Sequence, residues 1–262
     1  MRLITLILSG LLLATQLVAQ PTRPVGVQRP YIVERWTRNL EKADSALKAE
    51  EWKKALKTAQ NVLEEMCGRI EGGEGTAELL GTATFLRAIA EAGRGNTAAA
   101  NWDYISAQVL VPDLAKQKLS RYGAAGQVLE PWRIDPKTSA AKSLEKLAGV
   151  DAERVKDVTP PKKVRAPMPK YPYGKYSACL DGPIKIGFII DHQGRPIHPR
   201  LLTTQEPILG FAALEAVRDW RFEPAQLDGK PVPVTYGLTV NYELDRCKNL
   251  FATTQHSKGE GR

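Results

Sequence analysis

A proline-dense stretch from residue 155 to 176 divides the chain into two parts with different hydrophobic patterns. Its prolines are Pro160, Pro161, Pro167, Pro169 and Pro172, and the cations between them are Lys162, Lys163, Arg165, Lys170 and Lys175. Prolines at this density exclude a helix and favour an extended chain of about 3.1 Å per residue. We therefore expect residues 151–175 to form a solvated linker, with phospholipid headgroups or an acidic protein surface as alternative neighbours of its cations.

Residues 31–150, before this stretch, have the periodicity of helices. In EEWKKALKTAQNVLEEM the apolar side chains recur every three or four residues and line one helix face. They are Trp52, Ala55, Leu56, Ala59, Val62 and Met66. A second run, LRAIAEAGRGNTAAANWDYISAQVLVP, predicts a helix, a turn at Gly95 and Asn96, and another helix that stops before Pro112.

The two helical runs resemble tetratricopeptide repeats, which are helix pairs with small residues at the contact points. When Trp52 is aligned with Thr97, Ala55 falls on Ala100. This offset of 45 residues exceeds the usual repeat of about 34. An ordinary helical bundle that uses alanine for close packing is the alternative.

From Asp181 the period changes to two, which is typical of strands. Four alternating apolar residues predict a strand with one buried face, namely Ile184, Ile186, Phe188 and Ile190. The run DHQGRP then predicts a hairpin turn. The next strand, near 197–204, is preceded by Pro196 and contains Pro199, and the missing amides of these prolines indicate a sheet edge.

A helix and a long strand complete this second part. The apolar stripe of the helix is Leu209, Ala213, Ala216, Val217 and Trp220. We expect Glu215, Arg218 and Asp219 to face solvent and the helix to continue to Pro224. We also expect Trp220 and Phe222 to pack the helix end onto the sheet, with Arg221 capping or pairing nearby.

In the final strand, alternate residues from Val232 to Leu244 share one apolar face. The order strand, strand, helix, strand with a right-handed crossover puts the last strand antiparallel beside the first, so its outer edge stays free. The sequence therefore predicts an α+β chain: an all-α part of helical hairpins, then a small three-stranded antiparallel sheet covered by a helix.

Several separated motifs in the last third of the chain occur together, in this order, in the C-terminal domain of TonB, a periplasmic energy transducer. They are Tyr171-Pro172, IKIGFIIDHQGRP, LGFAALEAVRDWRFEPAQLDGKPVPV and the closing strand. Residues 176–247 thus resemble the TonB C-terminal domain family, and 248–262 read as a flexible tail. The helical part lies outside this resemblance.

The resemblance implies that an extended peptide, the N-terminal box of an outer-membrane TonB-dependent receptor, adds to the free edge as another strand. The residues it implies for peptide binding are Tyr171, Pro172, Val234, Thr235, Tyr236, Gly237, Leu238, Thr239, Val240, Asn241 and Tyr242. Transducers of this family also engage an inner-membrane proton-channel motor through an uncleaved membrane helix. The apolar run here has no His and the spacer is short, so contact with that motor and force transmission are left open.

Residues 1–19 have the layout of a secretory signal peptide, with one Arg, an apolar run and small residues before Gln20. This predicts a periplasmic protein, cleaved after Ala19, with an inner-membrane anchor as the alternative. Export argues against nucleic acid as the partner of a chain with net charge +8.

Export also permits disulfides. Of Cys67, Cys179 and Cys247, the last two flank the predicted neighbouring strands at the same end, so we expect them to form a disulfide. Cys67 then remains as an unreactive thiol.

No motif for phosphate binding, zinc proteolysis or serine hydrolysis is present, so the sequence predicts no catalytic residue and no cofactor. His192 and His198 near the hairpin are two ligands without a third, which argues against a zinc site. A binding module fits better than an enzyme. The alternative to strand addition is an envelope scaffold that binds partners through its helical part, with the sheet serving for homodimer formation.

Overall fold

The computed structural model describes residues 30–69, 74–134, 157–170, 182–202 and 206–242. Its α-helices are α1 (Pro30–Lys48), α2 (Trp52–Arg69), α3 (Glu74–Gly93), α4 (Thr97–Leu110), α5 (Gly123–Leu129) and α6 (Pro207–Arg218). Short 3-10 helices lie on either side of α5, at Pro112–Lys116, Leu119–Tyr122 and Glu130–Trp132. Within the described ranges, none of the helices combines the length and the apolar character that a membrane crossing requires.

The strands are β1 (Lys162–Arg165), β2 (Gly182–Ile190), β3 (Pro196–Leu201), β4 (Arg221–Glu223), β5 (Ala225–Leu227), β6 (Lys230–Val232) and β7 (Val234–Tyr242). They form one three-stranded sheet and two pairs, β1 with β4 and β5 with β6. The predicted α+β class, with helices first and antiparallel strands after them, is confirmed.

The first four helices form two hairpins, since residues 49–51 join α1 to α2 and residues 94–96 join α3 to α4. Ala55, Ala59, Ala88 and Ala100 are completely buried, which lets neighbouring helices approach closely. Trp52 and Thr97 each begin the second helix of a hairpin, as in the proposed alignment. The helices support the likeness to tetratricopeptide repeats only to this extent.

The three-stranded sheet has the order β3-β2-β7 with all neighbours antiparallel. The last strand therefore lies beside the first, as predicted, and β3 is an edge strand, as its prolines indicated. Along β2 and β7 the register is continuous from the pair Gly182 and Tyr242 to the pair Ile190 and Val234. Helix α6 lies against β2 and β3 and covers one face of the sheet.

The segment after α6 differs from our expectation. The helix ends at Arg218, not at Pro224, because Arg221–Glu223 forms β4 and pairs with β1. Trp220 and Phe222 are buried as predicted. Arg221 donates from Nη1 to the carbonyl oxygens of Arg218 and Trp220, which caps the last turn.

Residues 157–170 are mostly exposed to solvent, but they are not a free spacer, because they pair with the sheet part. Lys162–Arg165 forms β1, antiparallel to β4, and Thr159 bridges Gln226. Further along, the Trp220 indole donates to the carbonyl oxygen of Pro167 at 2.9 Å. The proline-rich chain is extended here, but its backbone hydrogen bonds attach it to the sheet part.

The helical part and the sheet part share one hydrophobic core and a buried ion cluster. Arg87 of α3 donates to Asp103 of α4 at 2.7 Å and to Glu215 of α6 at 2.5 Å. Arg218 lies 3.3 Å from Asp103. Our expectation that Glu215 and Arg218 face solvent was therefore wrong, whereas Asp219 is exposed.

Candidate functional site

The outer edge of β3 is closed to further pairing. Pro196 and Pro199 lack amide hydrogens, His198 has a φ of +52°, and the pairing with β2 is interrupted by a bulge. Helix α4 packs against the strand, and the rings of Trp132 and His198 lie 4.9 Å apart. Prolines, a bulge and a covering helix are the devices by which proteins block an edge strand.

His198 belongs to this closed edge. Its burial, and secondarily the Arg200 guanidinium, lowers the pKa of His198 to about 4, so the imidazole is neutral at neutral pH. His192 lies on the exposed turn. Among the described residues no group of three or more His, Cys, Asp or Glu side chains is arranged to hold a metal ion.

Strand β7 forms the opposite edge and has none of these devices. Its nine residues include no proline and no charge, and of the strands that the structure describes only β2 pairs with it. Along β7, side chains alternate between half-buried and exposed until Tyr242, which is buried. We call the face of β7 that packs on the hydrophobic core its inner face. On this face the Tyr236 ring lies 5.4 Å from that of Phe188 and 5.3 Å from that of Phe222.

The register identifies which backbone groups of β7 point outward. Lys185 O accepts from Leu202 N, and Asp191 N donates to Arg195 O, so the odd-numbered residues of β2 face β3. Backbone direction alternates along a strand, and the even-numbered residues of β2 therefore face β7. Their partners, which face inward, are Val234, Tyr236, Leu238, Val240 and Tyr242.

The remaining residues of β7 direct both N–H and C=O away from β2. They are Thr235, Gly237, Thr239 and Asn241, and all four are exposed. Eight backbone hydrogen-bonding groups therefore lie along this edge, which is the arrangement that an incoming strand requires. We call these four residues the open edge.

Of the residues predicted to bind peptide, the structure assembles Val234 to Tyr242 on one edge strand. Tyr171 and Pro172 lie outside the described residues, and so do Cys179, Cys247 and the signal-peptide segment. No observation tests their predicted roles.

Lys163 was not among the predicted site residues, yet it lies beside β7. Its Nζ is 4.9 Å from the ring centroid of Trp220 and 6.0 Å from that of Tyr236, distances at which a cation interacts with a ring face. The sequence signal was present, because Lys163 belongs to the basic proline-rich stretch. Only the pairing of β1 with β4 brings it to the edge strand.

The sequence of the sheet part is similar to that of known proteins. Residues 167–244 match the family described as Gram-negative bacterial TonB protein C-terminal. Over 79 residues the chain is 31% identical to Protein TonB of Vibrio cholerae serotype O1, and the match covers 30% of this chain and 32% of that protein. No solved structure shows a significant match to the chain. The resemblance to the TonB C-terminal domain is therefore confirmed for this segment, and it covers about a third of the relative's length.

Proposed function

We propose that this chain is a periplasmic TonB-like binding protein that captures an extended peptide at the open edge of β7, in transport across the outer membrane. The observation that carries the proposal is the contrast between the two sheet edges. The β3 edge is closed by prolines, a bulge and α4, while β7 offers eight outward backbone groups over seven residues. The similarity of residues 167–244 to TonB supports the same role, with the box peptide of an outer-membrane receptor as ligand.

The energetics favour a peptide held by both backbone and side chains. A net hydrogen bond contributes about 0.5–1.5 kcal/mol, and a strand that pairs with the open edge must also be ordered from a flexible state. Thr235 and Thr239 project from the outer face of β7, and the half-buried Tyr236 and Leu238 from the inner face. These positions would supply the side-chain contacts that select a sequence.

Amide hydrogen exchange on the nitrogen-15-labelled full chain tests the site directly. A synthetic TonB-box peptide of an outer-membrane receptor is expected to slow exchange at Thr235, Gly237, Thr239 and Asn241 at least tenfold at saturation. The amides of Val234, Tyr236, Leu238 and Val240 already bond to β2 and serve as internal controls. Protection confined to α1–α4 would instead support the scaffold alternative, in which the helical part binds the partner.

The same measurement without peptide tests homodimer formation, the other use of an open edge. Self-pairing through β7 would make protection of these four amides depend on protein concentration. Peptide-dependent protection at all concentrations supports the proposed function.

We also propose that Cys179 and Cys247 form a disulfide that closes the sheet part. The register supports this, since Gly182 pairs with Tyr242 and the segments that lead to the two cysteines start from these positions. Burial, and secondarily the Glu215 carboxylate, raises the pKa of Cys67 to about 12, which makes Cys67 a poor competitor for oxidation.

Mass spectrometry of alkylated, non-reduced protein from the periplasm tests the pairing. We expect a cross-linked peptide pair that contains Cys179 and Cys247, with Cys67 alkylated. Reduction should lower the free energy of unfolding by about 2–4 kcal/mol. Alkylation of both Cys179 and Cys247, or a cross-link from either to Cys67, would contradict the pairing.

A further inference from the structure

The strands around the open edge carry cations and no acid. β1 supplies Lys162, Lys163 and Arg165, β2 supplies Lys185, and β7 has no charged residue. A carboxylate does lie close by, on Glu223 of β4, but it is 3.5 Å from Lys162 Nζ and is partly neutralised by it. Of these cations, Lys163 is the one that a ring contact places beside β7.

Lys163 is the cation best placed to act on such a strand. Its side chain is exposed and its Nζ lies over the Trp220 and Tyr236 rings, so the ammonium group is held at the inner face of β7. Among the described residues no carboxylate forms an ion pair with it. The rings orient the ammonium group without neutralising it.

Lys185 supplies positive charge on the other face of the sheet. It lies directly opposite Thr239 in the β2–β7 register, and its side chain is exposed. Lys185 already takes part in another interaction, so its charge is not freely available to a peptide.

We propose that the peptide bound at the open edge is acidic, and that Lys163 is the residue that selects for its carboxylate on the inner face. This inference rests on the proposed function, because it concerns the ligand of the same edge. Attraction between exposed charges mainly raises the association rate and favours acidic over neutral ligands, and it weakens as salt is added. The net charge of +8 on the whole chain also attracts acidic ligands and raises their association rate.

Two synthetic peptides of about nine residues, long enough for an edge strand, separate charge from strand addition. Both share one alternating apolar sequence, and one carries Asp where the other carries Asn at two positions, one on each face. At about 0.02 M salt the full chain should bind the Asp peptide about tenfold more tightly, and at about 0.5 M salt the difference should shrink to about twofold. Fluorescence anisotropy of labelled peptide measures both affinities.

Lys163→Gln should weaken binding of the Asp peptide about three- to tenfold at low salt and leave the Asn peptide within about twofold. The matched control is Lys54→Gln, which removes the same net charge from α2 in the helical part and should leave both affinities within about twofold. The free energies of unfolding of both variants should lie within about 1 kcal/mol of the parent chain, since both lysines are exposed and lose only ring contacts or a surface ion pair.

Each outcome has a defined meaning. If both peptides bind equally and Lys163→Gln changes neither, the acidic ligand is ruled out while strand addition stands. If Lys54→Gln weakens the Asp peptide as much as Lys163→Gln does, net charge accounts for the preference and the role of Lys163 is overturned. If neither peptide slows exchange at the open edge, the proposed function fails with it.

Discussion

Replacing Arg87 by Met is expected to lower the free energy of unfolding by about 3–5 kcal/mol, because Asp103 and Glu215 lose the buried cation they share and keep only Arg218, at 3.3 and 3.7 Å. Asp103 is fully buried and Arg87 is 6% exposed in its side chain, so water cannot replace the lost bonds. Burial works against the charge of Arg87, but Asp103 and Glu215 outweigh it and raise its pKa. Burial raises the pKa of Asp103, and the Arg87 and Arg218 guanidinium groups oppose that shift. The contribution of the cluster to stability therefore depends on how close these arginines lie to Asp103.

Urea unfolding followed by circular dichroism measures this effect, and α3 offers a matched control. Arg94→Met removes an arginine from the end of the same helix, where Arg94 pairs with Glu91 at 3.2 Å and its side chain is 39% exposed. Arg94→Met should lower the free energy of unfolding by less than about 1 kcal/mol. Equal effects of the two substitutions would contradict the assignment of Arg87 as the buried centre of the cluster.

The same experiment reports whether the two parts of the chain unfold together. Arg87 lies in the helical part and Glu215 in the sheet part, and the hydrophobic core is continuous between them. We therefore expect one cooperative transition in the parent chain. Two separate transitions would mean that the shared core and the ion cluster contribute little to stability.

The strand order and the open edge could be predicted from sequence because their signals are local. Alternation from Ile184 to Ile190 and from Val234 to Tyr242 identifies two strands, although the structure buries both faces of β2 from Ile186 onward and not the single face that we expected. Prolines 196 and 199 mark the opposite edge, and the handedness of the crossover then leaves one arrangement.

The contacts between the parts could not be predicted in this way. A helical wheel assigns Glu215 and Arg218 to solvent because they are charged, and their partners lie more than 100 residues earlier in the chain. Similarly, Lys162–Arg165 is a strand only because β4 supplies its hydrogen-bonding partner. Local sequence does not encode such long-range pairing, so Lys163 was missed as a site residue.

The helical part also gains a role that its sequence does not indicate. Through α4 and Trp132 it packs against β3, so among the described strands β7 is left as the open edge of the sheet. This accounts for a helical part that packs tightly on the sheet part and is not merely tethered to it. The helices therefore leave one of the two edges of this sheet, the β7 edge, open for pairing.

Gly237→Pro is expected to weaken binding of the TonB-box peptide at least about thirtyfold, equivalent to about 2 kcal/mol, while the chain stays folded. The amide of Gly237 points outward from β7, so its loss removes a hydrogen bond to the peptide and none to β2. The proline ring also occupies the space that the incoming strand needs. Proline is tolerated in an edge strand when its nitrogen faces solvent, as it does here.

Gly237→Ala is the matched control for the loss of glycine. It keeps the amide, and of the described atoms an added Cβ would meet the carbonyl oxygen of Ile186 alone, at an ordinary 3.9 Å. Its affinity for peptide should stay within about threefold of the parent chain. Anisotropy titration gives the affinities, and urea unfolding verifies that the proline variant loses no more than about 1–2 kcal/mol of stability. A folded Gly237→Pro variant that binds peptide as tightly as Gly237→Ala would show that the ligand does not pair with β7, because no strand can bond to an amide that is absent.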